Sequence, residues 1–151
     1  MADLTTTITE SVIINGSDRG STNTLTTTGI NNTLERTLTA AHSNITTIAE
    51  FATANHTSES AIDLNDVRYI RVTNLDDAEE LIVGIITTGS TNYQVRLTPG
   101  ASHILYHAEN VAVAEADGNP AMASMTNDLT AIEVQPVSST NVQVELFIAS
   151  V

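Results

Sequence analysis

The sequence predicts an all-β protein, an antiparallel β-sandwich or jelly roll of about eight to ten short strands. Apolar and polar residues alternate with period two in several separate stretches, the mark of strands with one buried face. Gly, Pro, Asn and Asp punctuate the chain between them as turns. Thr and other β-branched residues are abundant, which favours strands over helices. A length of 151 residues suits one domain, 1–151, able to bury roughly 70% of its unfolded surface.

Taken in order, residues 1–10 (MADLTTTITE) read as an extended N-terminal segment, without the basic start and apolar stretch of a signal peptide. Ile8, Val12 and Ile14 fall on one parity, and Asn15-Gly16 supplies a turn. Residues 32–51 carry two patterns. Leu34, Leu38, Ala41, Ile45 and Ile48 follow helical spacing, with Asn32 or Thr33 able to cap it. The Thr filler (Thr37, Thr39, Thr46, Thr47) lowers helix propensity, so two strands joined near 42–44 are favoured. In YIRVTNLDD (69–77), Ile70 and Val72 face the core and Asn74-Leu75-Asp76-Asp77 makes the turn. LIVGII (81–86) is apolar on both parities, as expected of a strand covered on both sides. YQVRL (93–97) alternates and leads into Pro99-Gly100, a pair suited to the centre of a type II turn. Residues 108–128, low in bulky side chains and holding Asp117-Gly118-Asn119-Pro120, read as a long surface loop or arm. In the last strand Val142, Val144, Leu146 and Ile148 alternate with Gln143, Glu145 and Phe147.

Composition narrows the chemistry. The net charge is −13, lysine is absent, and the cations are Arg19, Arg36, Arg68, Arg71 and Arg96. A phosphate backbone calls for clustered cations, so nucleic acid is disfavoured, as is an anionic membrane surface. No stretch approaches the ~20 apolar residues of a membrane-spanning helix. The chain reads as soluble and made in a cytoplasm. With no cysteine, disulfides and thiolate-bound metals are excluded. Asn-x-Ser/Thr triplets at Asn15, Asn31, Asn44 and Asn55 are chance matches in a chain this rich in Asn and Thr.

Each candidate site has a plainer alternative. Asp76, Asp77, Glu79 and Glu80 gather acid in one turn, but they lack the alternating ligand spacing and the Gly of a calcium loop. A solvated turn accounts for them. His103 and His107 sit four apart. Ile104 stands where a zinc protease helix needs Glu, and on a strand the two rings are about 13 Å apart. His42 and His56 are scattered. No G-x-S-x-G and no phosphate-binding loop occurs; GSDRGS (16–21) and TTGSTN (87–92) are only Gly/Ser-rich. Any two of the 18 acids are free to form a glycosidase pair, yet sugar sites also use aromatic platforms, and only 3% of residues are aromatic. The sequence therefore argues against an enzyme, and no cofactor or metal is expected.

The phrases TITESVIINGSDRGSTNT, DVRYIRVTNLDDAEELIVGI, YQVRLTPGASHIL and VQVELFIASV, in that order, resemble small structural proteins of tailed phages of the marine and cyanobacterial type. The resemblance covers most of the chain, and its most specific part is the Tyr-Ile-Arg strand, the Asn/Asp turn and the Leu-x-Pro-Gly that follows. It implies a virion component, most plausibly a capsid decoration (cement) protein on the outer head surface. The implied partners are the major capsid protein or another virion protein and further copies of the chain, as a homotrimer. Arg71 and Arg96 are the candidate partner contacts. A neck, tail or fibre component is the alternative within this class, and a carbohydrate-binding sandwich module the alternative outside it.

Overall fold

The computed structural model describes residues 1–53, 61–89, 91–114 and 124–151. Asn55, His56 and the 117–120 turn lie outside these residues, as does the middle of the 108–128 segment. The strands in chain order are β1 (Ala2–Thr9), β2 (Ile13–Ile14), β3 (Ser17–Asp18), β4 (Thr22–Ile30), β5 (Asn32–Ala40), β6 (Thr46–Ala52) and β7 (Ile62–Asp63). A 3₁₀ turn (Leu64–Asp66) follows. Then come β8 (Val67–Asn74), β9 (Leu81–Thr87), β10 (Tyr93–Leu97), β11 (Ser102–Leu105), β12 (Leu129–Pro136) and β13 (Val142–Ser150).

Eight of these build the body. One sheet runs β11-β8-β13-β5 and the other β10-β9-β12-β6, with the two-residue β7 added parallel to β6. Numbered one to eight along the chain, strand k pairs with strand 9 − k: β5 with β13, β6 with β12, β8 with β11 and β9 with β10. This is one long hairpin rolled up, the winding of a jelly roll. All eight-strand pairings are antiparallel.

The alternation in the sequence sets the register. Val142, Val144, Leu146 and Ile148 of β13 are at most 1% exposed, and Ile70 and Val72 of β8 join them. Leu81, Val83 and Ile85 of β9, Ile132 and Val134 of β12, and Ile48 and Phe51 of β6 close the core from the other sheet. Residues 32–51 form two strands, β5 and β6, with the turn at 41–45. Leu34 and Leu38 lie on the inner side of β5, while Ile45, part of the helical pattern, is exposed in the turn.

One expectation needs correction. Strand β9 is covered on one side only. Ile82 and Ile86 point outward and are only partly buried, because no described layer lies over the five-stranded sheet. The described ends of 108–128 are pinned, with Ala108 fully buried, Leu129 donating to the Ala108 carbonyl, and Ala112 bridged to Asn127.

The N-terminal segment is likewise more than an extension. β1 pairs with β4, and β2 with β3 at the far end. From Leu4–Thr27 through Ile8–Asn23 to Ile14–Ser17, every pair of partners sums to 31, so residues 4–27 form one hairpin arm in a single register. Its tip is Asn15-Gly16, both at positive φ (50° and 77°), as a type I′ hairpin turn demands. Its base is a bulge in β4 beside Gly29 (φ 82°), where the arm leaves the body.

Candidate functional site

The turn after β8 is built around Asn74, which is fully buried. Its side-chain amide donates to the Glu79 carbonyl at 2.8 Å and the Leu97 carbonyl at 3.3 Å, and its Oδ1 accepts from the Asp76 amide at 3.0 Å. Its backbone ties to Ala101 and Gly100. One side chain thus fastens the β8–β9 turn to the β10–β11 turn. Asp76 Oδ1 accepts from the Ala78 and Glu79 amides, both at 2.9 Å. Those amides, Ala78 first, hold the Asp76 carboxyl below its ordinary range. Of the acids in this turn, Asp76 is engaged with its own backbone, and Glu80 pairs with Arg96. Asn74 as a hub was hidden in the sequence, where Asn before Asp signals a turn and says nothing of burial.

Arg71 and Arg96 are not brought together. Arg71 lies on the outer face of the four-stranded sheet and Arg96 on the outer face of the other. The Arg71 guanidinium pairs with Glu145 at 2.8 Å, donates to Thr73 Oγ1 at 3.0 Å, and sits 6.0 Å from the centre of the Phe147 ring. Arg96 meets Glu80 at 3.3 Å and leaves 62% of its side chain exposed. Beside Arg71 a cleft of about 290 Å³ opens between residues 4–7 of the arm and Tyr69 and Phe147. Tyr69 is spent in packing, edge-on to both Tyr106 and Phe147.

His103 faces the seam between β10 and β11, edge-on to Tyr93. Burial pushes its pKa below the ordinary value, and its Nε2 has no hydrogen-bond partner. Burial also raises the Tyr93 phenol. His42 bonds Asn141 instead, through Nδ1 at 3.0 Å. Among the described residues no three His, Asp or Glu side chains gather as a metal site. Nor, among them, does a histidine ring bond a Ser or Thr hydroxyl.

The least accounted-for surface is the arm. Since opposite partners share a face, Leu4, Thr6, Ile8, Glu10, Val12 and Ile14 lie on one side with Leu25, Thr27 and Arg19. The other side carries Thr5, Thr7, Thr9, Thr22, Thr24 and Thr26, with Ile13 opposite Asp18 near the tip. The ribbon is amphipathic. Only the first step of its apolar side is covered: Leu4 packs with Ile30, Tyr69, Ile104, Phe147 and Ala149. Beyond it Ile8, Val12, Ile14 and Leu25 are 45%, 49%, 52% and 45% exposed. The alternation in the sequence announced this apolar side, and the expectation that it is buried fails because nothing described in the chain lies against it.

Compared with known protein families, curated proteins and solved structures, the chain matches none.

Proposed function

We propose that this chain is a non-enzymatic structural protein that works by docking between subunits of a larger assembly, with a virion as the assembly and capsid decoration as the role. The observation that carries the docking reading is the arm. A two-stranded ribbon is marginal alone in water, and a large apolar side left bare marks a surface for another chain. The virion assignment rests on the resemblance of the quoted phrases to phage structural proteins. The mechanism is mass action. A protein that binds only the assembled shell stabilises it by RT ln(1 + [L]/Kd), repeated at every site, so each contact can be weak. Of the two arginines, Arg96 is the better placed to meet a carboxylate of the major capsid protein. Its exposed pair with Glu80 is worth about 1 kcal/mol at most, whereas Arg71 is held from three sides.

The test is to heat heads lacking the protein with and without purified protein. A rise in disruption temperature is expected. No rise, or localisation at the neck or tail in a virion reconstruction, defeats the decoration role.

A further inference from the structure

The body carries a second partly uncovered apolar surface, a shallow groove edged by Gln94 and Gln135. On the outer face of the five-stranded sheet Ile82 and Ile86 flank Gly84, whose missing side chain leaves a notch, and Ile45 stands beside them, 62% exposed. Glu133 lines the same groove. Its carboxylate has no ion-pair partner among the described residues, and neither does the Arg19 guanidinium on the apolar side of the arm.

We propose that the arm of one copy lies in this groove on a second copy, with Ile14 and Val12 over Ile86 and Gly84, Ile8 lying past Ile82, and Arg19 paired with Glu133. Reach and charge both favour this occupant. The apolar side of the arm runs ten residue steps from Leu4 to Ile14, about 34 Å at ~3.4 Å per step, enough to cross from one body to a neighbour. The arm also carries little net charge. Residues 1–30 hold Asp3, Glu10 and Asp18 against Arg19, so three acids less one arginine give −2 of the total −13. Laying it on another acidic copy brings little repulsion, and the one unpaired cation it offers meets an unpaired acid. Arm and groove are different surfaces, so the contact is heterologous and closes into a ring when the rotation permits. The inference rests on reading the arm as a docking element, not on the virion assignment.

The chain has no cysteine, so single introduced thiols report the contact without ambiguity. Ile14→Cys protein and size-tagged Ile86→Cys protein, each folded separately, are mixed and mildly oxidised. The 14–86 mixed disulfide should dominate over 14–14 and 86–86. In sedimentation the wild type should be an oligomer. Ile14→Asp should turn it into a monomer with an unchanged circular dichroism spectrum. Arg19→Glu should weaken the oligomer and Glu133→Arg, added to it, should restore it. A wild type that stays monomeric at high concentration, or 14–14 as the main product, overturns the proposal. If the mixed disulfide fails to form while the protein still protects heads from heat, the arm–groove contact falls and the virion reading stands.

Discussion

Along β13, Val142, Val144, Leu146 and Ile148 alternate with polar residues and are all but removed from water. Along the arm, Ile8, Val12 and Ile14 alternate just as regularly and remain about half exposed. Both are strands with one apolar side, and they differ in what lies opposite. The body supplies a second sheet, the distance between packed sheets being about 10 Å, and side chains from both sheets fill that layer. The arm has its own body under Leu4 and nothing described beyond. An apolar stripe fixes which side seeks cover and leaves open which molecule provides it. The arm's shape is secured by its turn and its ladder of Thr pairs, and no described residue covers the rest of its apolar side.

The sharpest way to break this comparison is to place a charge on each stripe. Val144→Asp puts an unpaired carboxylate at a fully buried position and should abolish cooperative folding, as seen by loss of the thermal transition in circular dichroism. Gln143→Asp, one residue earlier on the outer side and exposed, should be nearly silent. Equal tolerance of the two would mean the register of β13 is wrong.

Next in size is Asn74→Ala. It leaves the Glu79 and Leu97 carbonyls and the Asp76 amide without their partner, at roughly 1–3 kcal/mol for each group that stays dry. With the turn free to admit water at its rim, about 3 kcal/mol is expected in chemical denaturation. Asn15 has no such buried role, and replacing it should affect only the arm's turn.

A smaller effect belongs to pH. Because burial lowers the His103 pKa in the folded protein, the unfolded chain takes up the proton first as pH falls. The folded state is therefore favoured above the ordinary value of 6.5 and loses that advantage as pH drops through 6.5 toward the folded value. Melting temperature should decline over this window in wild type, and His103→Leu should flatten the decline. An identical decline in both proteins would assign the effect elsewhere. Tyr93 acts at the other extreme. Its raised pKa means stability holds below pH 10 and is lost as pH rises above it.

The body was largely legible because its apolar residues report local geometry. Val142 to Ile148 fixed a register, Pro99-Gly100 a turn with Gly100 at φ 73°, and the Thr filler of 32–51 decided strand over helix despite Leu34, Leu38 and Ile45 falling at helical spacing. What stayed hidden was long-range. LIVGII has apolar residues on both parities, and composition does not distinguish a strand covered twice from one whose outer side waits in a groove. Asn74 reads as turn chemistry in the sequence, and its burial follows from where two distant turns meet. For the arm, Asn15-Gly16 standing between the alternating run Ile8 to Ile14 and the Thr-rich run around Leu25 is a hairpin signature.

The finest test stays within one face of one strand. Leu4 and Ile8 share the apolar side of β1, four residues apart, but Leu4 packs beside Tyr69 and Phe147 while Ile8 lies past the edge of the body. Truncating a fully buried Leu costs about 2–5 kcal/mol, and a half-buried one should lose roughly half of that. Leu4→Ala should therefore destabilise the dilute protein by about 1–2 kcal/mol. Ile8→Ala should fall within about 0.5 kcal/mol, as for other exposed positions. Protein concentration provides the control. If Ile8 is covered by a second copy, the cost of Ile8→Ala should grow with concentration as the wild type gains stability by association, while the cost of Leu4→Ala starts high even in the dilute protein. An Ile8→Ala cost already as large as that of Leu4→Ala in dilute solution would place both residues against the same body, and the difference between arm and sandwich would disappear.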